Sequence, residues 1–142
     1  MTSQLNVDTI VDKAGSGGSN VKMANTSTYV SDGGNVSQNT VQGLAKVRFN
    51  YDSINNTIKS SLNASSATDH GTGQFSIIIT NNMSDADFAI AGLCQTNTAN
   101  SASLSVNGTN WAAGTVRYLN ATTTNSLQDV NNNSAAYFGD LA

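Results

Sequence analysis

The amino-acid sequence predicts an all-β fold: an antiparallel β-sandwich or jelly-roll-like domain over residues 44–142, preceded by an extended N-terminal arm over residues 1–43. Three observations carry this. Apolar and polar residues alternate at period two in several short runs, the signature of half-buried strands. Clusters of Asn, Asp, Gly and Ser, which favour turns, separate those runs. The long helix formers are scarce: Glu is absent, every acid is Asp, and Lys and Arg together number 6.

The arm carries thinly spread apolar residues. Leu5, Val7, Ile10 and Val11 come first, followed by Val21 and Met23, then Tyr29, Val30, Val36 and Val41, with AGSGGSN, SDGGN and SQNT between them. No helical period is sustained. Such a segment buries too little surface to offset an ordering cost of ~1–2 kcal/mol per residue, so it is expected to lean on a partner. Leu5, Val7, Ile10 and Val11 are the residues expected to anchor it. Extended at ~3.3 Å per residue, some forty residues reach ~130 Å, enough to span a neighbouring subunit.

The alternation starts at residue 44. In LAKVRFNYD, Ala45, Val47, Phe49 and Tyr51 share one face and Lys46, Arg48 and Asn50 the other. TIKSSLNAS places Ile58 and Leu62 together more weakly. GQFSIIIT turns Phe75, Ile77 and Ile79 inward. DFAIAGLCQ is apolar on both faces, the pattern of a central strand. SASLSV and TVRYLNA follow, split by NGTNWAAG, where Asn107-Gly108 is a hairpin signal, and SAAYFGDL closes the domain. The stretch DHGTG between two strand patterns reads as a tight reversal with His70 in the turn, and NNMSD as the next turn.

Composition excludes several functions. The chain has 20 Asn, 18 Ser, 16 Thr and 12 Gly among 142 residues and a net charge of −3. It therefore shows no basic footprint for nucleic acid or an anionic membrane. No apolar run approaches the ~20 residues that cross a bilayer, and no secretory signal is expected. The single Cys94 sits among small apolar neighbours and reads as a packing residue rather than a reactive thiol.

Chemistry-bearing residues are few. The one imidazole, His70, lies beside Asp69, but adjacent turn residues diverge and no GxSxG is present, so a nucleophile triad is disfavoured. Asp85 and Asp87 are close enough to share a strand face, yet read as a solvated strand entry rather than a glycosidase pair. One His and one Cys are too few for zinc. SDGGN and DVNNNS could offer oxygens to calcium, though without a DxDxDG spacing. No catalytic residue, metal or cofactor is expected, and the chain is not read as an enzyme. Trp111 and Tyr118 remain as candidate surface or receptor contacts, Trp111 through a flat indole face that could stack on a sugar.

The run GLAKVRFNYDSINNTIKSSLNASSATDHGTGQFSIIITNNMSDADFAIAG resembles a domain of tail-fibre or fibre-like virion appendages of marine tailed phages, of the cyanophage and pelagiphage kind. Phe49-Asn50 matches the aromatic-Asn pair that ends the family's first strand. Ser65 with Thr68 to Gly73 matches Ser-x-x-Thr-Asp-x-Gly-Thr-Gly, and Asn81 or Asn82 through Phe88 matches Asn-x-Met-x-Asp-Ala-x-aromatic. The closing Phe138-Gly139-Asp140 and the opening LNVDTIVDKAGSGG are similar too, so the resemblance spans residues 3–18 and 43–142. Arg48 stands where many members carry Trp, and no shaft or collagen-like repeat separates arm from domain. The resemblance implies a structural virion protein of a tailed bacteriophage. It would be made in the host cytoplasm, be homotrimeric, sit in the particle by its arm among other virion proteins, and display the sandwich for host-surface attachment. A capsid decoration (cement) protein or head fibre is the alternative placement. A carbohydrate-binding module that reads a host-surface glycan is the alternative of a different class.

Overall fold

The computed structural model describes residues 28–30, 37–39, 43–95 and 102–142. The chain divides into two compact units, residues 1–41 and 42–142, a boundary two residues before the one expected. In the first, β1 (Thr28–Val30) and β2 (Ser37–Asn39) pair as an antiparallel hairpin with Tyr29 opposite Gln38. Leu5, Val7, Ile10 and Val11 lie outside the described residues.

The second unit is a sandwich of two four-stranded antiparallel sheets, and its described residues contain no helix. Sheet one runs β4-β3-β10-β7 and sheet two β5-β6-β9-β8. Their strands are β3 (Val47–Asp52), β4 (Thr57–Leu62), β5 (Ala64–Asp69), β6 (Gln74–Ile79), β7 (Ala89–Gln95), β8 (Ala102–Ala112), β9 (Thr115–Thr122) and β10 (Asn132–Phe138). The alternation read from sequence builds the interior. Val47, Phe49 and Tyr51 of β3 face Phe75, Ile77 and Ile79 of β6, with Val116 and Tyr118 of β9 and Tyr137 of β10 between them. Six aromatic rings and Trp111 form a continuous chain through this space. Tyr51 meets Phe75 at 4.7 Å, Phe75 stacks on Tyr118 at 5.2 Å, Phe49 lies edge-on to Tyr118 at 5.5 Å, and Tyr137 stacks on Phe88 at 5.4 Å. Offset and edge-on contacts of this kind contribute ~0.5–1.5 kcal/mol per pair beyond the area they bury.

In the middle of the rings the Tyr118 hydroxyl donates to that of Tyr137 at 2.6 Å, joining sheet two to sheet one. Burial pushes both phenols far above their ordinary range. A second polar clamp closes one end of sheet one. Ser53 Oγ donates to the Val130 carbonyl and accepts from the Val130 N–H, and Asn133 Nδ2 donates to the Tyr51 carbonyl at 3.1 Å.

Three local expectations are corrected. TIKSSLNAS is not one strand. It breaks at Asn63, whose φ of 57° turns the chain from sheet one into sheet two. The Asn63 amide holds the corner by donating to the Asn81 carbonyl at 2.9 Å and accepting from its N–H at 2.7 Å; asparagine tolerates the left-handed region better than most residues. Asn107-Gly108 is not a hairpin turn. β8 runs through it, with Asn107 to Asn110 set opposite Arg117 alone, and reverses at Ala113-Gly114 instead. The Asn107 side chain accepts from the Thr109 N–H and hydroxyl, which lets the strand bulge outward without ending. Finally, β7 is an edge strand, not a central one. Its inner face is covered where Gly92 lets β8 approach, a Cβ there falling 3.1 Å from Leu104 Cδ2, while its outer face stays open.

The DHGTG turn is as expected. Gly71 N donates to Asp69 Oδ1, Gln74 N to the Gly71 carbonyl, and Gly73 N to Asp129 Oδ1 at 2.7 Å. Both glycines have positive φ, but their surroundings differ: a Cβ on Gly73 would lie 2.7 Å from the Asn120 carbonyl oxygen and the Gln128 nitrogen, whereas one on Gly71 meets nothing within 4 Å. Gly73→Ala is expected to lower the free energy of unfolding by ~2–4 kcal/mol and Gly71→Ala by ~1 kcal/mol, measured by chemical denaturation.

The tyrosine clasp gives a second expectation. Tyr118→Phe strands the Tyr137 hydroxyl in the interior at a cost of ~1–3 kcal/mol, and the double variant Tyr118→Phe/Tyr137→Phe costs less than the two single changes summed. A phenol whose pKa rises on folding adds stability that is complete below its unfolded value of ~10 and is lost as pH climbs above it. Denaturation midpoints should therefore hold constant up to about pH 10 and fall beyond it, less steeply in the double variant.

Candidate functional site

The outer face of sheet one is the most unusual surface of the sandwich. Strand registry places Leu62, Arg48, Ala136 and Ala91 in one row across β4, β3, β10 and β7, and Ser60, Asn50, Ser134 and Leu93 in the next. All of these but Leu62 line a shallow depression of about 420 Å³ whose walls are more apolar than polar. Leu93 is 79% exposed and Leu62 52% exposed. Arg48 is the depression's one charged residue, and its guanidinium donates to Ser60 Oγ. The face mixes four apolar groups, Leu62, Ala136, Ala91 and Leu93, with Arg48, Ser60, Asn50 and Ser134, and Leu62, Ala91 and Leu93 lie open to water. Sequence reasoning missed Leu93 and Ala91 because a two-sided apolar run reads as a central strand, and it set Leu62 on the face of Ile58, whereas the register shift in β4 puts Ile58 opposite the core residue Tyr51 and Leu62 opposite the outward Arg48. Gly92 in the middle of that run was the available signal, since an interior strand glycine often marks a close backbone approach.

The residues singled out from sequence lie elsewhere: His70 and Trp111 border one recess, Asp85 and Asp87 another, and Tyr118 neither. Tyr118 is 1% exposed and its hydroxyl is bonded to Tyr137, so it is a core residue and not a receptor contact. The reason is its phase: Tyr118 is two residues from Val116 on β9 and shares its inward face. Trp111 is half-buried, its ring packed 5.3 Å from Phe88, and its indole nitrogen finds no protein acceptor. It fills one end of the ring chain.

His70 borders a different recess, of about 270 Å³, together with Ser76, Thr109, Asn110 and Arg117 on the outer side of sheet two. Its Nε2 pairs with Ser76 Oγ at 2.8 Å. The neighbouring Asp69 turns its carboxylate to the Gly71 N–H and the Asn56 amide instead of the imidazole. Base and orienting acid are therefore not aligned as a nucleophile system requires. Asp85 and Asp87 are exposed; Asp85 accepts the Asp87 N–H in a local turn. In DVNNNS, Asp129 is taken up by Gly73 and Asn133 by the Tyr51 carbonyl; SDGGN lies outside the described residues. Among the described residues no three His, Cys, Asp or Glu side chains gather closely enough to hold a metal ion. Cys94 is partly buried, which pushes its thiol up and away from the reactive thiolate. No helix of the described residues is long and apolar enough to cross a membrane.

One carboxylate is held well. Burial favours the neutral form of Asp52, but hydrogen bonds from Asn55 and the Lys59 ammonium at 3.2 Å outweigh it, so its pKa is lowered. Its oxygens accept from the Ile54 and Asn55 N–H groups and shape the β3–β4 turn, a structural role.

No family model, curated protein or solved structure matches this chain.

His70 is exposed and its side chain is bonded to one neighbour, so His70→Ala should shift stability by no more than ~0.5 kcal/mol, measured by chemical denaturation.

Proposed function

We propose that this chain is a structural protein of a tailed-phage particle, a short tail fibre or fibre-like appendage that contributes to host-surface attachment. The observation that carries an assembly role is the set of apolar groups on the outer face of sheet one, Leu93, Ala91, Ala136 and Leu62 in two adjacent rows among Arg48, Ser60, Asn50 and Ser134. Surfaces of this kind, rimmed by polar side chains, serve protein contact. The sequence resemblance supports the more specific reading. Its most distinctive segment, Thr68 to Phe88, supplies the β5–β6 turn, the central strand β6, and the buried Met83 and Phe88. A sandwich stabilised by its turns and rings, with a surface of hydroxyls and amides, suits display on a particle. The same features serve a capsid decoration protein or head fibre, which would differ only in where the arm attaches.

The arm fixes the chain to the particle in this reading. Leu5, Val7, Ile10 and Val11 can add as a strand to an edge in a particle protein, which satisfies their backbone and covers their side chains. Burying one residue such as Leu5 is worth ~1.5–3 kcal/mol. Several arms on one particle raise each other's effective concentration. Deletion of residues 2–14 should leave a folded sandwich by circular dichroism that no longer co-purifies with virions. Loading at the normal level would place the anchor in the β unit instead.

A further inference from the structure

The four edges of the sandwich are not equally protected. An unpaired strand edge offers a row of N–H and C=O groups to any other strand, and proteins blunt such edges with charges, bulges or proline. β4 carries Lys59 and a register shift against β3. β5 is shifted against β6 and bears Asp69. β8 bulges over four residues. β7 has none of these devices. Its pairing with β10 is continuous over all seven residues, and AIAGLCQ contains no charge, no proline and no bulge.

We infer that β7 is a self-pairing edge: two copies of this chain join antiparallel along it about a two-fold axis at Gly92, making one continuous eight-stranded sheet. A second copy is the occupant because the strand complements itself. Gly92 is the midpoint of Ala89–Gln95, so centring there pairs the full length of the strand. In that register Leu93 lies opposite the second copy's Ala91 on the outer face, and Ala91 opposite its Leu93, a large residue against a small one in both directions. On the inner face Cys94 meets Ile90, and Gly92 meets Gly92 at the axis. Directly opposed residues in an antiparallel pair share a sheet face, so the inner faces of both sandwiches stay inward. Uncharged β7 sets no like charges against each other, whereas β4 paired with itself about its middle brings together two copies of Lys59. The contact is isologous, and an isologous contact closes at two chains. It does not build the trimer that the sequence resemblance implies, and it holds whatever particle the chain belongs to.

Light scattering on the full chain at micromolar concentration should give twice the 14.7 kDa chain mass. Leu93→Lys should halve that mass while leaving the far-UV circular dichroism spectrum that of the unaltered fold, since Leu93 is exposed. Leu62→Lys, on the same outer face but at the far strand, should leave it at two chains, which separates edge pairing from face-to-face stacking. In a Cys94→Ser background, mixed Ala91→Cys and Leu93→Cys chains should form a disulfide-linked dimer on oxidation far faster than either variant alone. A mass of one or three chains for the unaltered protein, an unchanged mass for Leu93→Lys, loss of the dimer in Leu62→Lys, or no preferential cross-link in the mixture would each overturn the inference.

Discussion

The hydrogen bond between the Tyr118 and Tyr137 hydroxyls sets the terms on which the two sheets meet. Each ring is fixed by stacking, Tyr118 on Phe75 and Tyr137 on Phe88, so the hydroxyls can reach one another only when the sheets are in a single relative position. Apolar packing alone tolerates small slides, because area burial has no direction. A buried O–H to O contact does not tolerate them, since breaking it leaves two polar groups dry. The rest of the interior follows from this fixed point: β9 and β10 carry the clasp, and β6 and β3 flank them with Phe75, Ile77, Phe49 and Tyr51.

The strands legible in sequence are those that bury one face. Val47, Phe49 and Tyr51, and Phe75, Ile77 and Ile79, obey a two-residue period because one side of each strand meets the core and the other faces away from it. Tyr118 obeys it as well, two residues from Val116 on β9, and the pairing of β9 with β6 and β8 turns both inward. The break at Asn63 was not legible, because the polar residues on either side alternate as smoothly as within one strand, and only the Asn63–Asn81 amide pairing in space marks the corner. Asn107-Gly108 misled for the opposite reason. Its turn propensity is real and is expressed as a bulge, since continued pairing of Trp111 and Ala112 with β9 outweighs a local reversal. The apolar face of β7 was visible as composition, but whether both sides of a strand are covered is decided by its neighbours.

Function is written thinly in this chain because its polar residues are occupied in shaping it. Asp52, Asp69 and Asp129 each accept backbone N–H groups at a turn or a strand end, and Asn63 and Asn133 tie loops to neighbouring strands. Asparagine and aspartate here do the work that proline and longer loops do in other sandwiches, consistent with the absence of proline from the sequence. What remains outward among the described residues is mostly hydroxyls and amides, with exposed apolar groups gathered on the outer face of sheet one.

The pairing of β3 with β10 has a kinetic side. These strands sit at the centre of sheet one, yet Tyr51 and Asn133, bonded through the Asn133 amide, are 82 residues apart in sequence. During synthesis β3 and β4 can form a hairpin early, and β5, β6, β8 and β9 can gather as sheet two, but nothing can fill the slot between β3 and β7 until β10 has been made. Until then Phe49 and Tyr51 on one side and the whole edge of β7 on the other stay uncovered. Closing loops of this length is slow compared with hairpin formation. The last strand of the sandwich in chain order is therefore the wedge that closes it, and the interval before it arrives is when newly made chains are most prone to pair with one another incorrectly.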